Sequence, residues 1–300
     1  MLIIGADYSS AGIQGTGRRV ASFGRIDGTG KTLSVNEVDY DASQAQIQID
    51  GRPGTASQLK VGQIVTVQGT LDGAKGAANN VTFTGDVVGP ITRVDLAGGT
   101  FTVLGQQVTV DASTVFGDGI QPAGIGALSV GVGVEVSAFR TASAELLASR
   151  VDLQTVGAPL QVQGAVEALN TDARTFQINS LTVAYAPAKV NGKLANANNA
   201  TVTADEAPSA GTLQATTVRV GNGVAGAVAG EQGHLQGLIT SVSSSTSFNV
   251  GDQLVVTNTD THFVLHGNTL QANLSVKVIG VFDSSGALVA KQVHADPHSP

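Results

Sequence analysis

Apolar and polar residues alternate in short runs along nearly the whole chain. Thr100-Phe101-Thr102-Val103, Thr175-Phe176-Gln177-Ile178 and Ser247-Phe248-Asn249-Val250 are examples. Successive side chains of a strand point to opposite faces, so a period of two predicts half-buried strands. Asp27-Gly28, Asp50-Gly51 and Asn191-Gly192 interrupt the runs, and such pairs predict tight turns. One stretch departs from the pattern. Ser143–Arg150 carries Ala, Glu and Leu at helical spacing. Its counterparts elsewhere contain Thr and Val, and that predicts a strand.

Those counterparts exist because the chain repeats itself. Leu59-Lys60-Val61-Gly62-Gln63-Ile64-Val65-Thr66-Val67-Gln68-Gly69 recurs as Leu128-Ser129-Val130-Gly131-Val132-Gly133-Val134-Glu135-Val136. It recurs again, altered, from Leu270 to Gly280, and is degraded to Asn199–Ala204. A glycine opens each copy: Gly24, Gly89, Gly164 and Gly237 stand 65, 75 and 73 residues apart. A repeat of that length holds about five strands of 5–6 residues with their turns. Five short strands with little helix predict a small closed barrel of the OB type, because closure removes exposed sheet edges. A flat two-layer sandwich is the alternative, and each unit is short for it.

The expected fold is therefore all-β: four tandem small five-stranded OB-like barrels behind an N-terminal arm. The boundaries are 1–20 for the arm, then 21–86, 87–155, 156–223 and 224–300 for the barrels, the last with a C-terminal tail. Gly221–Gly233 is rich in Gly and Ala and marks a linker. In the arm, Leu2, Ile3 and Ile4 are apolar and need a cover. Either they form a strand on their own first barrel, or they are donated to a neighbouring subunit.

These recurring residues resemble a bacterial domain-of-unknown-function family of tandem small OB-like barrels. The resemblance rests on the pattern L-x-V-G-x-x-V-x-V-x-G and spans about residues 21–295. It is strong in the first half, at Leu59, Val61, Gly62, Val65, Val67 and Gly69 and at Leu128, Val130, Gly131, Val134 and Val136. It implies export to the periplasm or cell surface and no assigned enzymatic activity. The resemblance implies that members often carry a signal peptide and a lipid-bearing cysteine. This sequence has no cysteine, and Met1–Gly5 is too short for a signal h-region of about 7–15 residues, so a lipid anchor is not expected. The matched positions are core and turn residues and bring no binding site with them.

Composition narrows the functions. Charged residues are 13% of the chain, against about 25% in an ordinary soluble domain, so the surface must be largely Ser, Thr, Asn, Gln and Gly. The formal charge is −7 with no basic run, which argues against nucleic acid. No apolar run approaches the ~20 residues that a spanning helix needs, so no transmembrane segment is expected. Zero cysteine excludes disulfides and thiolate chemistry.

Candidate chemistry is sparse. Gly30-Lys31-Thr32 ends like a phosphate-binding loop, but the glycine required five residues earlier is Arg25 and the setting is a hairpin. Asp39 and Asp41 share one face of a strand end and read as solvated; Asp95, Asp111 and Asp118 read as turn formers. All five histidines fall between 234 and 298. His262, His266, His294 and His298 form two pairs four apart, a candidate site for a divalent metal. On a strand such a pair is about 13 Å apart, and no third ligand has fixed spacing. No cofactor is otherwise expected.

The leading expectation is a non-catalytic, extracytoplasmic structural or adhesive protein that self-associates, as a filament subunit if head-to-tail contacts stay open. The alternatives are a protein binding glycan or another cell-envelope ligand across a barrel face, and a histidine-based metal-binding module. Sugar binding wants aromatic platforms. Three tyrosines (Tyr8, Tyr40 and Tyr185) and nine phenylalanines are present, most of the latter at core positions such as Phe101, Phe176 and Phe248.

Overall fold

The computed structural model describes residues 17–155 and 157–296. Leu2, Ile3, Ile4 and His298 lie outside the described residues, so the proposed arm does too. Within them the protein is all-β, apart from two short 3-10 turns at Ala56–Gln58 and Ile125–Ala127.

The first unit contains β1 (Arg18–Gly28), β2 (Leu33–Val35), β3 (Val38–Asp41), β4 (Gln46–Ile49), β5 (Arg52–Gly54), β6 (Ile64–Asp72) and β7 (Lys75–Phe83). β1 pairs antiparallel with both β2 and β6. β2 pairs with β3, β3 runs parallel to β7, and β7 pairs back with β6. The circuit β1-β2-β3-β7-β6 closes into a five-stranded barrel. The close curvature needs a bulge at Gly69, where a Cβ would lie 2.0 Å from the Ala77 carbonyl oxygen. Alternation does the rest: Val65, Val67 and Val81 point inward and are fully buried with Tyr40 and Phe83. Each such valine contributes about 1.5–3 kcal/mol by leaving water.

The second unit contains β8 (Val87–Asp95), β9 (Thr100–Val103), β10 (Gln106–Thr109), β11 (Val115–Phe116), β12 (Gly133–Arg140) and β13 (Leu146–Leu153). The circuit β8-β9-β10-β13-β12 closes in the same order and with the same parallel step. Of the helix-like stretch, residues 146–150 belong to the strand β13 and residues 143–145 lie in the turn before it. Helix propensity spread over eight residues is weak, and pairing on both sides outweighs it.

In the third unit two strands of the circuit are each broken in two. It contains β14 (Leu160–Ala165), β15 (Glu167–Asn170), β16 (Thr175–Ile178), β17 (Leu181–Ala184), β18 (Lys189–Asn191), β19 (Asn199–Ala204), β20 (Thr212–Gln214) and β21 (Thr217–Val220). β15, β16, β17 and β20 form a separate four-stranded sheet, while β14, β19 and β21 belong to the sheet of the second unit. The fourth unit contains β22 (Gln232–Ser244), β23 (Ser247–Val250), β24 (Gln253–Val256), β25 (His262–Val264), β26 (Ser275–Phe282) and β27 (Leu288–Ala295). Its circuit β22-β23-β24-β27-β26 closes like that of the first unit.

One backbone device recurs in all four units. Ahead of the strand that carries the repeated phrase, a residue with left-handed backbone donates its N–H to the opening strand. The bonds are Gly62 to Ile26, Gly131 to Ile91, Ala197 to Val166 and Asn273 to Ile239, each 2.8 Å. The φ values are 92°, 91°, 67° and 66°. Glycine adopts that region freely and asparagine tolerates it, whereas alanine is strained there. The degraded phrase of the third unit therefore keeps its geometry after losing its glycine.

The units are not beads on a string. β1 and β22 pair in parallel, joining the first and fourth units into one 13-stranded sheet. β8 and β14 pair antiparallel at Val87 and Val88, placing the second and third units in one sheet over one continuous hydrophobic core. The opposite pairs touch as well. Gln161 of the third unit donates to Asp50 of the first at 3.1 Å, and the Ala142 N–H of the second donates to Asn273 of the fourth at 2.7 Å. Four units that each touch the other three enclose a common centre.

Candidate functional site

That centre is a cavity of about 720 Å³ with walls from all four units. Thr66 and Thr84 come from the first, Phe139 from the second, Thr201 from the third and Asn249 from the fourth. Its volume lies within the ~300–1,000 Å³ range of small-ligand sites. The lining mixes Thr, Asn and Gln with apolar Phe, Ile, Leu, Val and Ala, and four charged side chains reach it: Asp86, Arg140, Arg219 and Asp252.

Asp86 sits where the first unit hands over to the second. Its backbone N–H donates to Val136 at 2.8 Å, and its carbonyl accepts from the Gln163 N–H at 2.9 Å. Its Oδ2 accepts from the Ala138 N–H at 2.9 Å. The residue is thus fixed from two neighbouring units. Burial pushes its carboxyl up to about 6; Arg140 opposes that rise and Asp252 adds slightly to it.

Arg140 ends β12, where the strand leaves its barrel. Nη1 donates to the Ala144 carbonyl at 3.2 Å and Nη2 to the Gln163 carbonyl at 2.9 Å. Burial lowers its pKa, and Asp86 and Asp252 counter that loss. Among the described residues no carboxylate lies within ion-pair distance, 4 Å, of this guanidinium.

Asp252 follows Gly251, whose φ of 58° makes the turn between β23 and β24. Its Oδ2 accepts from Asn199 Nδ2 at 3.2 Å, a contact between the fourth and third units. Burial raises its pKa, while hydrogen bonds from Gly223 and Asn199 and the charge of Arg140 restrain the rise.

Arg219 lies on β21 beside Val218, which fills the third unit's interior, so alternation turns Arg219 to the other face. It stands opposite Thr201 on β19, and Thr201 stands opposite Gln163 on β14. The side chain runs over Gly51 of the first unit, where a Cβ would lie 2.5 Å from Nη1. Gly51 has φ 76° and also makes a turn, so two demands fall on one glycine. Among the described residues the Arg219 side chain makes no hydrogen bond or ion pair.

The histidines gather elsewhere. His234, His266 and His294 line a smaller hollow of about 220 Å³ at the seam of the first and fourth units, with Glu37 and Lys277. Lys277 Nζ pairs there with Glu37 Oε1 at 2.8 Å. His234 is buried and its Nε2 lies 2.8 Å from Gln232 Nε2; burial lowers its pKa and favours neutral imidazole. His262 is exposed on β25 and does not reach this hollow, while His266 sits in the turn beyond it at φ 51°. The structure therefore brings His266 and His294 together with His234, and parts His262 from them. Among the described residues no group of three or more His, Cys, Asp or Glu is placed to hold a metal ion.

Other motifs fall where the pattern puts them. Gly30-Lys31-Thr32 is the loop joining β1 to β2. Asp39 and Asp41 are exposed on one face of β3. Asp95 accepts from the Gly98 N–H at 3.0 Å and Asp111 from the Ser113 N–H at 2.8 Å, as turn formers do. Asp86, Arg140, Arg219 and Asp252 carried no local signal. Each is a lone charged residue outside the repeated phrase and outside any motif.

Residues 88–152 and 236–294 match the model of a domain of unknown function, DUF5666. These stretches coincide with the second and fourth units; the sequence pattern placed the resemblance most strongly in the first and second. No curated protein matches the chain.

Proposed function

We propose that the protein is a non-catalytic binding protein whose central cavity takes a small polyhydroxylated ligand, a glycan fragment of one to three sugar units. The observation that carries this reading is the cavity itself, about 720 Å³ of space walled by all four units, in which Thr, Asn, Gln, Asp and Arg stand among apolar side chains. Such side chains donate to and accept from sugar hydroxyls. Phe23 and Phe139, both half-buried, supply apolar faces for stacking against a sugar ring. Phe101, Phe176 and Phe248, by contrast, are buried in barrel interiors.

In this reading the four units are copies of one OB-like cassette, arranged around a shared site instead of each binding alone. The low-charge polar surface fits an extracytoplasmic setting, where envelope glycans are available. Of the features behind an adhesive or self-assembling role, the apolar arm Leu2, Ile3 and Ile4 lies outside the described residues. The cavity is therefore the feature that geometry supports best.

Saturation-transfer NMR on the full chain with a panel of mono-, di- and trisaccharides tests the proposal. Transfer to ring protons of at least one sugar, abolished in Phe139→Ala, is expected. Absence of transfer from every sugar at millimolar concentration contradicts it. Release of reducing ends during the incubation contradicts its non-catalytic part.

A further inference from the structure

We infer that the cavity selects a glycan bearing a carboxylate, a uronic-acid residue, and that Arg140 and Arg219 together receive the acidic group. The inference rests on the binding reading above and adds the class of ligand.

Its ground is the placement of two guanidiniums, half-buried Arg140 and exposed Arg219, that among the described residues have no carboxylate within ion-pair distance. Gln163, Thr201 and Arg219 form a row across three neighbouring strands, β14, β19 and β21. Adjacent strands lie about 4.8 Å apart, so the row spans about 10 Å. Arg140 stands at one end, its Nη2 on the Gln163 carbonyl, and Arg219 stands at the other. Both arginines line the same cavity. An arginine side chain covers most of that span, so both can converge on one group above Thr201.

The polar inventory agrees. A guanidinium has five N–H donors. Arg140 uses two on carbonyl oxygens, and Arg219 uses none among the described residues. The fork of an arginine fits a carboxylate in a bidentate way. The carboxylates already present do not fill that role. Asp86 is held by the Ala138 N–H and Asp252 by Asn199. Carboxylate is favoured over phosphate because a doubly charged group would be repelled more strongly by Asp86 and Asp252, which line the same cavity.

Isothermal titration of the full chain tests this with three ligands of equal size: a neutral disaccharide, the same disaccharide with one uronic acid, and its phosphorylated form. The expected result is uronate affinity at least tenfold above that of the neutral sugar. Arg219→Gln should remove that margin and Arg219→Lys should keep part of it, with unchanged circular dichroism. Arg93→Gln, an exposed arginine outside the cavity, should leave the margin intact. Equal binding of neutral and acidic sugars overturns the inference while the glycan reading stands. Tightest binding of the phosphorylated sugar also overturns it. Failure of all three to bind removes both readings.

Discussion

The barrel interiors and the central cavity are built on opposite rules. Interiors repeat. Val67, Val136, Val202 and Val278 occupy one position in four units and all are fully buried. The left-handed residue ahead of them recurs four times with one hydrogen bond. The cavity does not repeat. At the position of Arg219 on the closing strand, the other units carry Thr82, Asp152 and His294. At the turn of Asp252 the first unit has Glu37 and the second Gly105. Of these counterparts Thr82 also lines the central cavity, while Glu37 and His294 line the smaller hollow, so positions equivalent in fold have diverged in chemistry and in the space they face. Repetition reports folding, and departure from repetition reports what the molecule does.

The largest test of the comparison is in the interiors. Phe101 of the second unit and Phe176 of the third are both 1% exposed, though only the second lies in a stretch matching the family model. Phe101→Ala and Phe176→Ala should each lower stability by about 3–5 kcal/mol in denaturant titration. A much smaller loss for Phe176→Ala would mean that the broken strands of the third unit leave a looser core.

A smaller effect, of opposite sign in two units, is expected at the left-handed position. Gly131→Ala places a Cβ in open space but at φ 91°, and should cost about 1 kcal/mol in thermal melts. Ala197→Gly relieves the same strain at φ 67°, and should be neutral or stabilising by up to about 1 kcal/mol. Two losses of equal size would show that the side chain of Ala197 packs more favourably than its backbone is strained.

Stability should also depend on pH through the cavity. The carboxyl of Asp86 lies near 6 in the folded chain, above its ordinary 3.8. Between those values the folded state holds a proton that the unfolded state releases. Stability contributed by this group therefore falls as pH rises from about 4 to 6, and the deficit persists above that. Asp86→Asn should raise the melting point at pH 8 and have no effect near pH 3.5. A shift of about two units corresponds to about 3 kcal/mol, and solvent reaching the cavity reduces that to about 1 kcal/mol. A gain at pH 3.5 as large as at pH 8 would assign the effect to packing.

The same comparison explains what could be read from the sequence. Strands, turns and the five-strand circuit were legible because alternation and repetition are local and occur several times. Even Ser143–Arg150 is legible through its counterparts. The joining of units into shared sheets was not legible, since Val20 pairing with Gln232 joins residues from opposite ends of the chain with no periodic mark. The cavity was hidden for the same reason: Asp86, Arg140, Arg219 and Asp252 come from three units and one junction. The histidines drew attention by clustering in sequence, yet His262 faces solvent while His234, His266 and His294 share the smaller hollow.

The most direct measurement is a crystal structure of the full chain soaked with an oligosaccharide identified in solution. The account predicts a sugar ring in the central cavity, stacked on Phe23 or Phe139, with its acidic group above Thr201 between Arg140 and Arg219. A sugar bound on the outer face of a single barrel, with the centre holding only water, would contradict it.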